Sequence, residues 1–182
     1  MKKLLFVTAL LAMGTMAMGQ NPSQGEKSKA EVLVKAQIVD DFFKITDING
    51  NPLVLDFGRV PKADYSKGII EEPKATVEYK VTATEVVDPE LKLTMSLTSY
   101  EHPDDETATN TVIISKDGVA TGDLTENERI EVKLSLDNTE KVMKAQQSKV
   151  VGKLNGAIKA NLSSTTEGAY SGKVFLVATV KQ

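Results

Sequence analysis

The chain lacks cysteine and tryptophan and contains a single histidine, His102. Zinc, haem, iron–sulfur and thiol chemistry each require several such side chains together, so the composition argues against all of them. The 22 basic residues are interleaved with 25 acidic ones, and no basic stripe is present to neutralise nucleic-acid phosphates. Aromatic residues make up only 5% of the chain, so few rings are available to stack against a bound sugar. We therefore predict a protein that is not an enzyme, holds no metal or cofactor and binds no nucleic acid.

Residues 1–19 have the composition of a targeting segment. Lys2 and Lys3 precede an uncharged, mostly apolar run over residues 4–18, and the small residues Ala17 and Gly19 stand just before Gln20. These are the charged, apolar and cleavage regions of a secretory signal peptide. A membrane span needs about 20 apolar residues, more than this run supplies. We predict cleavage before Gln20 and an exported chain without a membrane span.

The rest of the chain is predicted to be a polar leader followed by strands. Residues 20–29 collect Pro, Gly, Ser, Gln and Lys without apolar periodicity, which is typical of an unfolded leader. Beyond them apolar and polar residues alternate, as in strands with one buried face. Several short strands with little helical periodicity predict an all-β antiparallel sandwich. The predicted buried faces are Val32, Val34, Ala36 and Ile38; Ala75, Val77, Tyr79, Val81 and Ala83; Leu91, Leu93, Met95 and Leu97; Ile130, Val132, Leu134 and Leu136; and Val150, Gly152, Leu154, Gly156, Ile158, Ala160 and Leu162.

Local features refine this pattern. The dipeptides Asn49-Gly50 and Asp117-Gly118 supply the positive φ of hairpin turns between apolar runs. Two glycines in line within the longest apolar run, at positions 152 and 156, predict a bend or a bulge. Helical spacing is present only over residues 139–147, where it fits two turns of helix or a loop.

The segment 101–106 brings His102 together with four carboxylates. No G-x-S-x-G or S-x-x-K motif accompanies the histidine, so a solvated loop is favoured over a catalytic triad. Oxygen ligands for calcium are present in the same segment. They lack a fixed ligand spacing, and the solvated loop is again the favoured interpretation.

The first apolar strand follows directly on the polar leader and has two interpretations. In one, Val32, Val34, Ala36 and Ile38 form the buried face of a strand that pairs within its own domain. In the other, the strand completes the sheet of a neighbouring subunit through main-chain hydrogen bonds and alternate side-chain pockets, which is donor-strand complementation.

Both ends of the chain resemble the major subunits of fimbriae of the alternate chaperone-usher, or colonisation-factor, type. The stretch from Gly168 to Val174 is similar to the closing G-x-Y-x-G-x-V strand of subunits assembled by chaperone-usher machinery. Near the N terminus, VKAQIVD over residues 34–40, the following hairpin, and LDFG over residues 55–58 resemble the opening of these subunits. That class also tends to lack cysteine.

The resemblance implies an incomplete immunoglobulin-like sandwich that is completed by a donor strand. The donor face would be Val32, Val34, Ala36 and Ile38, and the terminal strand over residues 173–181 would border the acceptor groove. It further implies residues 20–39 as leader and donor strand, residues 40–182 as the pilin domain, and a periplasmic chaperone, an outer-membrane usher and other copies of the chain as partners. The ending Val180-Lys181-Gln182 lacks the aromatic residue found near the C terminus of many fimbrial subunits. The alternative is a self-complete exported sandwich that binds a small ligand or sugar, with an exported hydrolase as a more distant third.

Overall fold

The computed structural model describes the backbone of residues 27–32 together with residues 43–100, 107–120, 122 and 124–181. The described residues form ten strands, and short 3-10 helices lie at Tyr65–Lys67 and Glu126–Glu128. The strands are β1 (Lys27–Val32), β2 (Phe43–Asp47), β3 (Lys74–Ala83), β4 (Leu91–Ser99), β5 (Thr111–Lys116), β6 (Arg129–Leu136), β7 (Glu140–Met143), β8 (Lys149–Ile158), β9 (Tyr170–Ser171) and β10 (Val174–Lys181).

The strands build two sheets whose orders are β1-β10-β4-β7 and β2-β3-β8-β6-β5-β9. Every neighbouring pair is antiparallel. Buried side chains of both sheets form one hydrophobic core. The all-β antiparallel sandwich predicted from the alternation of the sequence is therefore confirmed.

The buried faces of the central strands follow the predicted period of two. In β4, Leu91, Leu93, Met95 and Leu97 are each at most 4% exposed. Strands β3, β6 and β8 likewise bury alternate residues and leave most of the intervening ones wet or half-buried. Because one side of each strand faces the other sheet, the apolar residues of the alternation become the core.

The two glycines of β8 do not mark a bulge, contrary to the sequence prediction. The pairing of β8 with β3 and with β6 continues past both of them without an extra residue. A Cβ atom at Gly152 would lie 2.4 Å from Cζ and Oη of Tyr79, and one at Gly156 would lie 2.7 Å from Cδ2 of Leu55. The glycines instead leave room on the buried face for large side chains from elsewhere in the chain.

Both predicted turns form, but among the described strands neither turn joins the predicted hairpin. At the first, Gly50 has φ +93°, and the Asp47 carboxylate accepts hydrogen bonds from the backbone N–H groups of Asn49 and Asn51 at 2.9 and 2.7 Å. At the second, Asp117 and Gly118 both have positive φ. The predicted hairpin partners are wrong in both cases, because β2 pairs with β3, and β5 pairs with β9 and with β6, which begins only at Arg129.

Residues 139–147 do not form the helix that was one interpretation of their spacing; the alternative of a loop holds for residues 144–147, whereas most of the residues before them form a strand. Glu140–Met143 is strand β7 and pairs with β4. Lys141 and Met143 are buried, whereas Glu140 and Val142 are exposed. The burial therefore has the period of a strand, and the edge of β4 selects it over the weak helical spacing.

Candidate functional site

The N-terminal strand β1 lies at the edge of the smaller sheet, beside the C-terminal strand β10. Six residue pairs connect them, from Lys27 opposite Thr179 to Val32 opposite Val174. Within the described residues, β10 is the strand that pairs with β1, and the far side of β10 pairs with β4. The two ends of the chain therefore meet in one antiparallel ladder.

The acceptor side of this ladder is strongly apolar. Every second residue of β10 belongs to the hydrophobic core, with Leu176 and Ala178 fully buried. We call these residues the inward face of β10; they are Val174, Leu176, Ala178 and Val180. In the observed register, Val32, Ala30 and Ser28 lie opposite the first three of them.

Seven of the ten described strands follow the order of a constant-type immunoglobulin domain, in which strands A, B, E and D form one sheet and C, F and G the other. Strand β7 is added beside β4, and β5 and β9 continue the larger sheet beyond β6. Here β2-β3-β8-β6 take the places of A-B-E-D, and β4 and β10 take those of C and F. Position G, next to F, is occupied by β1. The strand that completes this sheet thus comes from before strand A, whereas in an immunoglobulin chain it follows strand F.

The predicted donor residues are only partly within the described chain. Val32 is the last residue of β1, and Val34, Ala36 and Ile38 lie outside the described residues. Strand β1 begins at Lys27, so the prediction of an unpaired leader was wrong for residues 27–29. His102 and the acidic segment 101–106, which was interpreted as a solvated loop, also lie outside the described residues.

The C-terminal motif that carries the resemblance does not form one strand. Its Tyr170 lies in β9, which pairs with β5 of the larger sheet, whereas Val174 begins β10 of the smaller sheet. Between them, a Cβ atom at Gly172 would lie 2.5 Å from the carbonyl oxygen of Ile113. Only glycine allows this close approach, so the motif marks the place where the chain crosses from one sheet to the other.

The tyrosine of this motif fixes the crossing. Its hydroxyl donates to the carbonyl oxygen of Thr166 at 2.6 Å and lies 3.2 Å from that of Asn127. Burial, helped by the carboxylates of Glu128 and Asp117, raises the pKa of Tyr170. The hydroxyl consequently keeps its proton and remains a donor.

A cavity of about 510 Å³ adjoins the crossing and was missed by the sequence reasoning. One wall consists of inward residues of β5, β6 and β8, and the other comes from the connection between β2 and β3. Charged groups at the cavity are few, among them Asp56, Lys62 and Glu167. Gly172 and Val174 also line it, so the cavity is continuous with the start of the β1–β10 ladder. No local motif signals it, because its walls come from distant parts of the chain.

A cluster of three polar side chains, Tyr79, Asp137 and Lys141, lies elsewhere in the sandwich. The ammonium group of Lys141 is 2.9 Å from a carboxylate oxygen of Asp137 and 5.8 Å from the centre of the Tyr79 ring. The Tyr79 hydroxyl is buried and has no hydrogen-bond partner among the described residues. Burial, and secondarily the Asp137 carboxylate, raises the pKa of Tyr79, which therefore stays neutral. The ion pair of Lys141 and Asp137 stabilises the fold, whereas the Tyr79 hydroxyl, unpaired among the described residues, is a cost to it.

Within the described part of the chain, no helix is long and apolar enough to cross a membrane. The same residues contain no group of three or more His, Cys, Asp or Glu side chains placed to hold a metal ion. The candidate site is therefore the β1–β10 edge together with the adjoining cavity.

Comparison of the chain with protein-family models gave no match, and comparison with curated proteins gave none either.

Proposed function

We propose that this chain is a structural subunit of a surface fimbria, or pilus, that polymerises by donor-strand complementation and supports adhesion. Its partners are other copies of itself in a head-to-tail polymer, a periplasmic chaperone and an outer-membrane usher. It is exported, passes through the periplasm and serves at the cell surface without catalysing a reaction. The proposal rests on a strand from the N-terminal part of the chain that stands in position G beside β10; this strand is paired within its own copy, which the self-complete sandwich also requires.

The connectivity explains why this position favours exchange between subunits. The segment from β2 to β10 supplies strands A to F. Strand β1 is joined to that body at one end, through residues 33–42. The equivalent strand of a second copy offers the same main-chain groups to β10, which is the requirement for strand addition at a sheet edge.

The apolar character of β10 explains both the strength of such a joint and the need for a chaperone. Without a neighbour at position G, β10 would present unpaired backbone groups beside the core residue Leu176, which is an aggregation hazard. Burying a Val or Ile side chain contributes roughly 1.5–3 kcal/mol, so a donor face of four apolar residues contributes on the order of 6 kcal/mol. The backbone hydrogen bonds of the ladder add to this.

The cavity supports the second candidate, a self-complete exported sandwich that binds a small ligand. Its volume of about 510 Å³ lies in the range of small-molecule sites, and its lining is mostly apolar. In that case β1 would be a permanent strand of its own domain. The two candidates therefore differ in whether β1 exchanges between copies.

A matched pair of substitutions on the predicted donor strand tests exchange. Val34→Asp places a charge on the apolar face, where insertion into a neighbour would desolvate it without a partner. Lys35→Asp places the same charge one residue away, on the opposite face. We expect the first variant to block fibre formation by the purified chain lacking residues 1–19, and the second to form fibres as the unsubstituted chain does. Electron microscopy and unheated denaturing gels measure the polymer.

Deletion of residues 20–39 provides the complementary test. We expect the remaining domain to fold when a peptide of residues 27–39 is supplied and to add to no further subunit. A domain that stays unfolded with the peptide present, or an unsubstituted chain that stays monomeric at every concentration, would favour the self-complete sandwich.

A further inference from the structure

The cavity beside the sheet crossing has an apolar floor made by inward residues of three neighbouring strands. The lining residues of β6 and β8 are at most 7% exposed; they are Ile130, Val132, Leu134, Leu154 and Ile158. On β5, Val112 and Ile114 line the same cavity but are only half-buried, although Val112 lies directly opposite Val132. The apolar surface of β6 therefore continues onto β5, where it is covered less completely.

The wall formed by the connection between β2 and β3 is held in place at two points. A Cβ atom at Gly156 would lie 2.7 Å from Cδ2 of Leu55 and 2.8 Å from Cζ of Phe57, so both side chains rest directly on β8. Further along, the backbone N–H of Leu162 donates to the carbonyl oxygen of Ala63 at 2.7 Å. This wall is therefore fixed by contacts outside the cavity.

The segment that leads into β9 forms a third side of the cavity, and it is fixed as well. The backbone N–H of Thr166 donates to the carbonyl oxygen of Asn127 at 2.8 Å. The Tyr170 hydroxyl donates to the carbonyl oxygen of Thr166 at 2.6 Å. A space whose sides are each held by their own contacts is preformed, as small-molecule sites usually are.

The charged residues that line the cavity lie at its opening. Asp56, Lys62 and Glu167 are all exposed, whereas the floor on β6 and β8 is buried. Two carboxylates and one ammonium group give the opening charges of both signs, so it has no strong preference for an anion or a cation. An uncharged ligand also avoids the cost of desolvating a charge beside the apolar floor.

The interior of the cavity holds water poorly. A volume of about 510 Å³ corresponds to roughly 17 water molecules at about 30 Å³ each. A buried water needs about two to four polar partners, and the aliphatic side chains of the floor supply none. The Tyr170 hydroxyl already donates to a backbone carbonyl oxygen. Poorly held water is readily displaced by an apolar group, and this displacement favours binding.

We propose that this cavity binds the hydrocarbon chain of one uncharged aliphatic molecule. A methylene group occupies about the volume of a water molecule and a ligand fills only part of a cavity, so the chain is on the order of ten carbon atoms long. The described residues that line the cavity all belong to the body from β2 to β10. The site therefore deepens the ligand-binding candidate but does not depend on whether β1 exchanges between copies.

Calorimetric titration of the purified chain lacking residues 1–19 with straight-chain alcohols tests the site. We expect 1-decanol to bind with one molecule per chain. From 1-hexanol to 1-decanol we expect the affinity to rise by up to about fourfold for each methylene group. Decanoate and decylammonium carry charged head groups on the same chain, and we expect both to bind more weakly than 1-decanol.

A matched pair of substitutions on β5 locates the binding. Val112→Phe fills the cavity, whereas Ile113→Phe adds the same ring on the opposite, exposed face of the strand. We expect the first to weaken 1-decanol binding by about tenfold or more and the second to change it by less than about twofold. Val60→Phe fills the cavity from the connection between β2 and β3 and replaces Val112→Phe if that variant does not fold.

Absence of saturable 1-decanol binding by the unsubstituted chain, or equal affinities of the Val112→Phe and Ile113→Phe variants, would overturn the site. Tighter binding of decanoate or decylammonium than of 1-decanol would overturn the uncharged head group. Fibre formation is measured on the same preparations. Fibres from a chain that binds no alcohol would leave the proposed polymerisation standing, and alcohol binding without fibres would leave the site standing.

Discussion

Substitution of Gly152 by alanine adds a methyl group where the Tyr79 ring approaches the backbone of β8. The two residues are directly paired between β3 and β8, and Tyr79 is fully buried. The new Cβ atom would lie 2.4 Å from Cζ and from the hydroxyl oxygen of Tyr79, and 2.8 Å from Cε of Lys141. Ordinary carbon–carbon contacts are at about 3.5–4.0 Å, so the ring or the strand has to move.

The expected cost follows from the rigidity of the site. The ring belongs to a central strand pair and is enclosed by the core. Overpacking of this kind typically costs about 1–3 kcal/mol. For a chain of this size, that corresponds to a fall in Tm of about 2–4 °C for each kcal/mol.

Urea unfolding of the purified chain lacking residues 1–19 measures this cost. Gly122→Ala is the matched control, because a Cβ atom there meets nothing within 4 Å and its φ is not in the left-handed region. We expect the control to change the free energy of unfolding by less than about 0.5 kcal/mol. If Gly152→Ala were as mild as Gly122→Ala, the ring would not lie over the glycine, and the explanation of the glycines in β8 would fail.

Two further predictions concern the cluster of Tyr79, Asp137 and Lys141. Tyr79→Phe removes a buried hydroxyl without a partner among the described residues, and we expect the free energy of unfolding to rise by about 1 kcal/mol; a loss of that size would show that the hydroxyl is satisfied. For Asp137, partial burial acts to raise the pKa, but hydrogen bonds from Lys141 Nζ and from backbone N–H groups outweigh it and lower the pKa from its ordinary value. A lowered pKa in the folded state stabilises the fold above the unfolded-state pKa, and this contribution is lost as the pH falls through the folded-state pKa. We therefore expect the unsubstituted chain to lose more stability than Asp137→Asn between about pH 5 and about pH 2, and equal slopes would contradict the ion pair.

Alternation predicted the sandwich because a strand buried on one face imposes its period on its own residues. The alternation alone assigned four residues of β4 to the core, without knowledge of their partners: Leu91, Leu93, Met95 and Leu97. The same local logic located the turns at Asn49-Gly50 and Asp117-Gly118, where positive φ is a property of the residues themselves. The alternation did not predict strand β7, because a pattern of four residues is too short to recognise. Pairing with the edge of β4 decides the conformation of these residues.

The sequence by itself thus determined the fold class and the buried faces of β3, β4, β6 and β8, since each depends on neighbouring residues along the chain. Only the tertiary structure decided that β1 stands beside β10 and that Lys27 is already part of the ladder. It alone also placed Tyr79 over Gly152 and brought distant segments together around the cavity. The physical reason is that strand order, register and enclosed space arise from pairings between residues far apart in sequence, which no local periodicity contains.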